Sequence, residues 1–198
     1  GWGTAVGIML AQNGHNVTLW SYLASECENL KKHHENKPYL PGVKIPDNVR
    51  FTSDISECGI ADIIITATPS HAMRTTARNL APYVKRGQLI LNISKGLEEV
   101  THLTMSQVLK QELDGCEIAV MSGPSHAEEV SRGIPTTNVI AARTEEIANY
   151  IQDIIISEYI PTLICSAWNS AARLKTSLLS VPGFWTVLNL ATTQRRRL

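Results

Sequence analysis

Lys95 sits where an apolar run, residues 88–93, gives way to the polar turn Ser94-Lys95-Gly96. A lysine at the carboxyl end of a buried strand can donate to a carbonyl oxygen. It then stabilises the negative charge that develops as a hydride arrives. A solvated strand-end lysine has the same local sequence, so position alone leaves both readings open. A second turn, Ser122-Gly123-Pro124-Ser125-His126-Ala127, joins a strand-like run to a short helix. Its backbone N–H groups and the Ser125 hydroxyl can bind polar ligand groups, and Gly123 allows close backbone approach. An ordinary capped turn is the alternative. His126 is a candidate general base, although a lone histidine at a helix start is more often structural or solvated. The third candidate, Gly1-Trp2-Gly3-Thr4-Ala5, runs straight into a helix. By itself G-x-G before a helix is a weak signal, and a tight turn explains it as well. The functional reading makes Gly3 the last glycine of a G-x-G-x-x-G fingerprint, where it permits close helix–strand packing while the helix N-terminus faces a pyrophosphate. On that reading the first two glycines and their strand belong upstream of residue 1.

The elements that must position these turns alternate along the chain. Apolar periodicity predicts helices over 4–14, 23–35, 71–84, 104–113, 125–131 and 144–156. Strands are predicted over 17–20, 49–52, 61–68, 88–93, 117–121 and 137–142. The consecutive β-branched residues Ile63, Ile64 and Ile65 mark a buried strand. Pro38, Pro41 and Pro46 mark a loop. Such alternation predicts an α/β fold, a doubly wound and mostly parallel sheet with helices on both faces. Ligands bind beyond the carboxyl ends of such strands. Pro69-Ser70, Ser94-Lys95-Gly96 and Ser122-Gly123-Pro124-Ser125 all fall there.

Composition narrows the function classes. The chain has 198 residues, of which 43% are hydrophobic and 18% charged, with zero formal net charge. Those proportions permit a sizeable core, and the neutral balance gives no global field to recruit nucleic acid. The basic Arg195-Arg196-Arg197 end carries no recognition motif. No apolar run approaches the roughly 20 residues that span a bilayer. Cys27, Cys58, Cys116 and Cys165 lack metal or redox spacing and read as reduced, mostly buried residues of a cytoplasmic protein. No histidine pattern matches a metal site.

Taken in order, the motifs resemble one family. They are Gly1–Ala5, Asn13-Gly14-His15 with Val17-Thr18-Leu19-Trp20, and Glu35-Asn36 with Tyr39-Leu40-Pro41-Gly42-Val43. Ala61-Asp62-Ile63-Ile64 with Pro69-Ser70, Ser94-Lys95-Gly96-Leu97-Glu98, and Ser122 through Val130 continue the series. Their order and spacing over residues 1–159 resemble the cofactor domain of bacterial-type NAD(P)-dependent glycerol-3-phosphate dehydrogenases. The resemblance implies a Rossmann-type domain and hydride transfer between NAD(P)H and dihydroxyacetone phosphate or sn-glycerol 3-phosphate. It implies phospholipid supply in the cytoplasm, and a homodimer in the intact family member. It implies that Trp2 and Gly3 contact the cofactor and that Lys95 touches both cofactor and substrate as the catalytic lysine. Gly123 and Ser125 would hold substrate, and Ala127 would lie against the cofactor. Tyr22 falls at a cofactor position where the family often carries a base that favours the 2′-phosphate of NADPH. No acidic residue ends the 17–20 strand, so either NADP or NAD remains open.

After residue 159 the resemblance stops. Residues 160–198 are expected to be an aberrant tail in place of a helical substrate domain, and the domain at 1–159 is expected to lack its first strand. Back-translation gives the reason. When the reading frame is shifted by two bases, Trp168 and Asn169 must encode Glu, and codon choices for 168–176 permit E-L-G-G-A-L-K-N. Residues 190–198 likewise permit G-D-N-T-K-A-A-L. These are family segments in family order, so a frameshift is the expectation. Two further readings stand beside the dehydrogenase. One is a catalytically dead remnant, at most a weak dinucleotide binder; the other is a Rossmann-type reductase of another substrate.

Overall fold

The computed structural model describes residues 1–156 and the strand at 162–165. Helix α1 (Trp2–Gln12) is buried along Thr4–Ala11 with no polar face, as expected of a helix enclosed on all sides. It starts two residues earlier than its apolar pattern predicts. Strand β1 (Thr18–Trp20), helix α2 (Ala24–His33) and strand β2 (Arg50–Thr52) follow. Then come β3 (Ile63–Thr66), α3 (Ser70–Leu80), β4 (Leu89–Asn92) and α4 (Met105–Glu112). The series ends with β5 (Glu117–Ser122), α5 (Ala127–Ser131), β6 (Asn138–Ala141), α6 (Glu145–Ile155) and β7 (Thr162–Cys165).

Local chemistry sets several boundaries. Thr104 opens α4 with a reciprocal capping box to Gln107, satisfying two otherwise orphaned groups. Thr144 caps α6 by accepting from the Ile147 N–H. Helix α3 stops at Leu80, short of the predicted residue 84, because Pro82 turns the chain into a 3-10 segment at Ala81–Tyr83.

Five strands form one sheet in the order β3-β4-β5-β6-β7, while β1 and β2 pair separately. All pairings are parallel except β5–β6, which is antiparallel. The expected mostly parallel α/β sheet is therefore present. The antiparallel β6 and the strand β7 are features that the apolar pattern does not announce. Both β1 and β3 have one edge without a strand partner among the described residues.

Alternation along the strands builds two cores. Ile64, Ile90 and Ile118 face Met73, Ala77 and Leu80 of α3 and Met105, Val108 and Leu109 of α4. Leu91, Ala119, Met121 and Ile140 face the other side, where α1 and α6 pack. Burying both faces fixes the level of the carboxyl ends of β3, β4 and β5. Three loops leave from there. Among the described residues no helix is long and apolar enough to cross a membrane. The expectations for Trp168, Asn169 and Arg195-Arg196-Arg197 lie outside the described residues.

Candidate functional site

The three loops converge on a cleft of about 310 Å³. Thr68 and Pro69 reach it from β3, Ser94 and Lys95 from β4, and Ser125, His126 and Ala127 from β5. Trp2, at the start of α1, closes one side. Of the residues selected from sequence, Trp2, Lys95, Ser125 and Ala127 thus share one cleft. Gly3 and Gly123 are packed behind it. Tyr22 is 75% exposed and does not line it.

The β4 end is held by a buried polar network. Asn92, 1% exposed, accepts from the Ser94 N–H at 3.1 Å and from the Thr66 hydroxyl at 3.3 Å. The Ser94 hydroxyl donates to the Thr68 carbonyl at 2.7 Å. These bonds lock the backbone one residue before Lys95. Gly96, at φ +102°, then makes a turn that L side chains rarely adopt. Further along, Arg74 of α3 grips Glu98 through two bonds of 2.7 Å and also reaches Glu112 of α4. Arg74 hydrogen bonding holds the Glu98 carboxyl down at about 2. The Lys95 loop is therefore anchored on both sides, and the Lys95 ammonium donates to the Ser125 carbonyl at 3.4 Å.

The β5 turn is fitted against β6. A Cβ on Gly123 would stand 2.2 Å from the Thr137 carbonyl oxygen and 2.7 Å from Asn138 Oδ1. Glycine is required here by the chain's own backbone, before any ligand is considered. Ser125 is 4% exposed and its hydroxyl donates to Asn138 Oδ1 at 3.2 Å. Asn138 itself is fully buried, and among the described residues its Nδ2 lacks a partner, as does Thr136 Oγ1. The sequence reading missed Asn138 and Asn92. An amide inside or ending an otherwise apolar strand was the available signal, because such a group stays buried only for a partner.

At α1 the first helical bond runs from the Ala5 N–H to the Gly1 carbonyl. Gly1 offers no side-chain cap and the first turn carries no acid. The helix thus presents its positive end, the arrangement that receives a phosphate. A Cβ on Gly3 would meet that of Ala67 at 2.8 Å, so α1 passes hard against the loop after β3.

The carboxyl end of β1 holds a group that the linear sequence does not reveal there. Glu26, from the first turn of α2, folds back to accept from the Ser21 hydroxyl. Among the described residues no three acidic, histidine or cysteine groups gather as metal ligands. Cys27 is buried as expected, but Cys58 and Cys116 are only half-buried. Burial pushes the Cys58 thiol up to about 11, so it stays protonated near neutrality.

A profile described as the NAD-dependent glycerol-3-phosphate dehydrogenase N-terminus matches residues 1–148. The chain belongs to this family. It is 49% identical over 158 residues to a glycerol-3-phosphate dehydrogenase [NAD(P)+] of Agathobacter rectalis, a match covering 79% of this chain and 47% of that protein. It is 36% identical over 199 residues to one of Lactobacillus delbrueckii subsp. bulgaricus, covering 92% and 59% respectively. The crystal structure of glycerol-3-phosphate dehydrogenase from Coxiella burnetii superposes with a TM-score of 0.79 at 25% identity, covering 84% of this chain and 51% of that one. The chain therefore spans about half the length of the glycerol-3-phosphate dehydrogenases it matches over its N-terminal part.

Proposed function

We propose that this chain is the cofactor-binding half of an enzyme that passes hydride between NAD(P)H and C2 of dihydroxyacetone phosphate or sn-glycerol 3-phosphate. The observation that carries the proposal is the joining of Lys95 to Ser125 at 3.4 Å in a cleft shared with Trp2 of α1. The residues fit a dinucleotide: the uncapped α1 N-terminus suits a pyrophosphate, and Gly3 lets the helix approach the β3 loop. The nicotinamide cofactor, when bound, supplies or accepts the hydride.

Lys95 donates a hydrogen bond to the substrate carbonyl oxygen and stabilises the charge that grows there during reduction. Its neighbours hold it without consuming it: among the described residues only a backbone carbonyl takes its ammonium. Ser125 directs its hydroxyl proton to Asn138, which leaves its lone pairs to accept from a substrate hydroxyl. Ser125 thereby orients substrate beside Lys95, with Gly123 assigned to substrate by the resemblance alone, and Ala127 and Trp2 present apolar surface to the cofactor. On the resemblance, the proton-transfer lysine belongs to the part of the family's chain that follows this domain. The same resemblance supports a cytoplasmic reaction that feeds phospholipid synthesis, carried out by a homodimer.

A second reading keeps binding and drops turnover: these 198 residues act as a dinucleotide-binding remnant. Oxidation of NADH and NADPH with dihydroxyacetone phosphate, measured beside a version lengthened by the segments its relatives carry, separates the two. Turnover in the lengthened protein alone supports both readings together. Turnover in neither, with intact folding, overturns the dehydrogenase assignment.

A further inference from the structure

We propose that Asn138 is a specificity-determining residue: by taking the Ser125 hydroxyl proton it leaves Ser125 able only to accept, so that the cleft selects ketones with a hydroxyl on the carbon beside the carbonyl. The inference rests on the dehydrogenase reading above and deepens it. Dihydroxyacetone phosphate carries such a hydroxyl. Its deoxy analogue has a methyl group in place of the hydroxymethyl group and cannot donate there.

Three observations support the assignment. First, the bond has one direction. A serine hydroxyl holds a single proton, and that of Ser125 goes to Asn138 Oδ1 at 3.2 Å. Second, Gly123 fixes which end of the amide faces Ser125. A Cβ on Gly123 would lie 2.7 Å from Asn138 Oδ1. In glycine a hydrogen points along that direction; an oxygen accepts its approach, whereas an amide N–H would meet it hydrogen to hydrogen. Third, stability does not explain an asparagine here. Asn138 opens β6, whose other residues Val139, Ile140 and Ala141 are apolar. It is fully buried, and among the described residues its Nδ2 has no partner. An orphaned buried donor weighs against folding, and an apolar side chain in its place would not carry that penalty. The position of Lys95 completes the geometry. Its ammonium lies on the Ser125 carbonyl at 3.4 Å, and both residues line the cleft. A substrate carbonyl held by Lys95 therefore brings the neighbouring hydroxyl to Ser125. A fixed acceptor at that point is left unpaired by a substrate without the proton.

The test compares two substrates in the lengthened enzyme of the preceding section. kcat/KM is measured for dihydroxyacetone phosphate and for its deoxy analogue, with NADH and with NADPH. The parent should prefer the hydroxyketone by at least about a hundredfold. Asn138→Leu frees the Ser125 hydroxyl to turn, and the preference should narrow by about tenfold or more, chiefly through a raised KM for dihydroxyacetone phosphate. Comparing parent with variant cancels the different intrinsic reactivities of the two ketones. A merely structural role would weaken both substrates by the same factor and leave the ratio unmoved. In a Ser125→Ala background, Asn138→Leu should no longer change the ratio. Asn138→Ala, which removes the same acceptor without added bulk, is read alongside, and thermal melts establish that each variant folds. A parent preference below about threefold overturns the proposal and leaves the dehydrogenase reading standing. So does an unchanged ratio in a folded Asn138 variant. If both Asn138 variants unfold, the residue is structural and the proposal falls. No turnover of dihydroxyacetone phosphate by the folded parent overturns the dehydrogenase reading and this inference with it.

Discussion

The two ends of the cofactor path are built differently. At the β4–β5 end, Asn92, Ser94, Ser125 and Asn138 lie under 6% exposure and bond to one another or to nearby backbone. At the β1–β2 end, two strands of three residues pair, among the described residues, only with each other, and Tyr22 and Leu23 are exposed. Chemistry needs the first kind of site, because a donor displaced by an ångström loses much of its effect on a transition state. On the proposed reading the reacting groups sit at the rigid end, while the β1–β2 end is the looser of the two.

Substitutions should expose that contrast in order of size. Gly123→Ala forces a Cβ into the Thr137 carbonyl, and backbone cannot rotate away. It should cost about 3 kcal/mol of stability in a urea melt; a loss below about 0.5 kcal/mol, the ordinary surface range, breaks the contrast. Lys95→Met should leave the melt unchanged but lower kcat of the lengthened enzyme by roughly a hundredfold or more. A purely raised KM would instead make Lys95 a substrate-binding group. Asn138→Leu removes the acceptor of Ser125 and the unpartnered Nδ2 together. Stability should change by no more than about 1 kcal/mol, whereas KM should rise as Ser125 loses its fixed orientation.

The pH response is smaller and has a definite sign. Glu98 is held near 2 by Arg74, below its ordinary 4.5. The anchoring of the Lys95 loop is then complete above pH 4.5 and is lost as pH falls from there through about 2. Limited proteolysis between pH 5 and pH 2.5 should show progressive cutting near residues 96–104, and Glu98→Gln should show that sensitivity already at pH 5. At the far end of the scale, Tyr22→Ala should move the melt by less than about 0.5 kcal/mol. A larger effect there would show that the β1–β2 end is as tightly built as the other.

Sequence reasoning reached the rigid end more fully than the open one, for physical reasons. Ile63-Ile64-Ile65 and the runs around Ile90 and Ala119 declare buried strands, and the turns after them carry Lys95 and Ser125 within a few residues of the strand ends. Local periodicity therefore locates both element and candidate group. It cannot locate Glu26, which lies on a helix and reaches the β1 end only through the fold of the α2 turn. Nor does it reveal that β6 runs against β5, since alternation is blind to strand direction. Asn138 was legible in type but not in purpose: its partner, Ser125, is 13 residues away, on the other side of α5 in the sequence.

The separate pairing of β1 with β2 carries a consequence for how the molecule opens. A ladder of three residue pairs that, among the described residues, has no strand hydrogen bonds to the five-stranded sheet is a weak cooperative unit. Amide protons of residues 18–20 and 50–52 should exchange with solvent well before those of β4 and β5. Bound cofactor, by bridging α1 and the β1 edge, should slow that exchange and couple the two sheets into a single unfolding event.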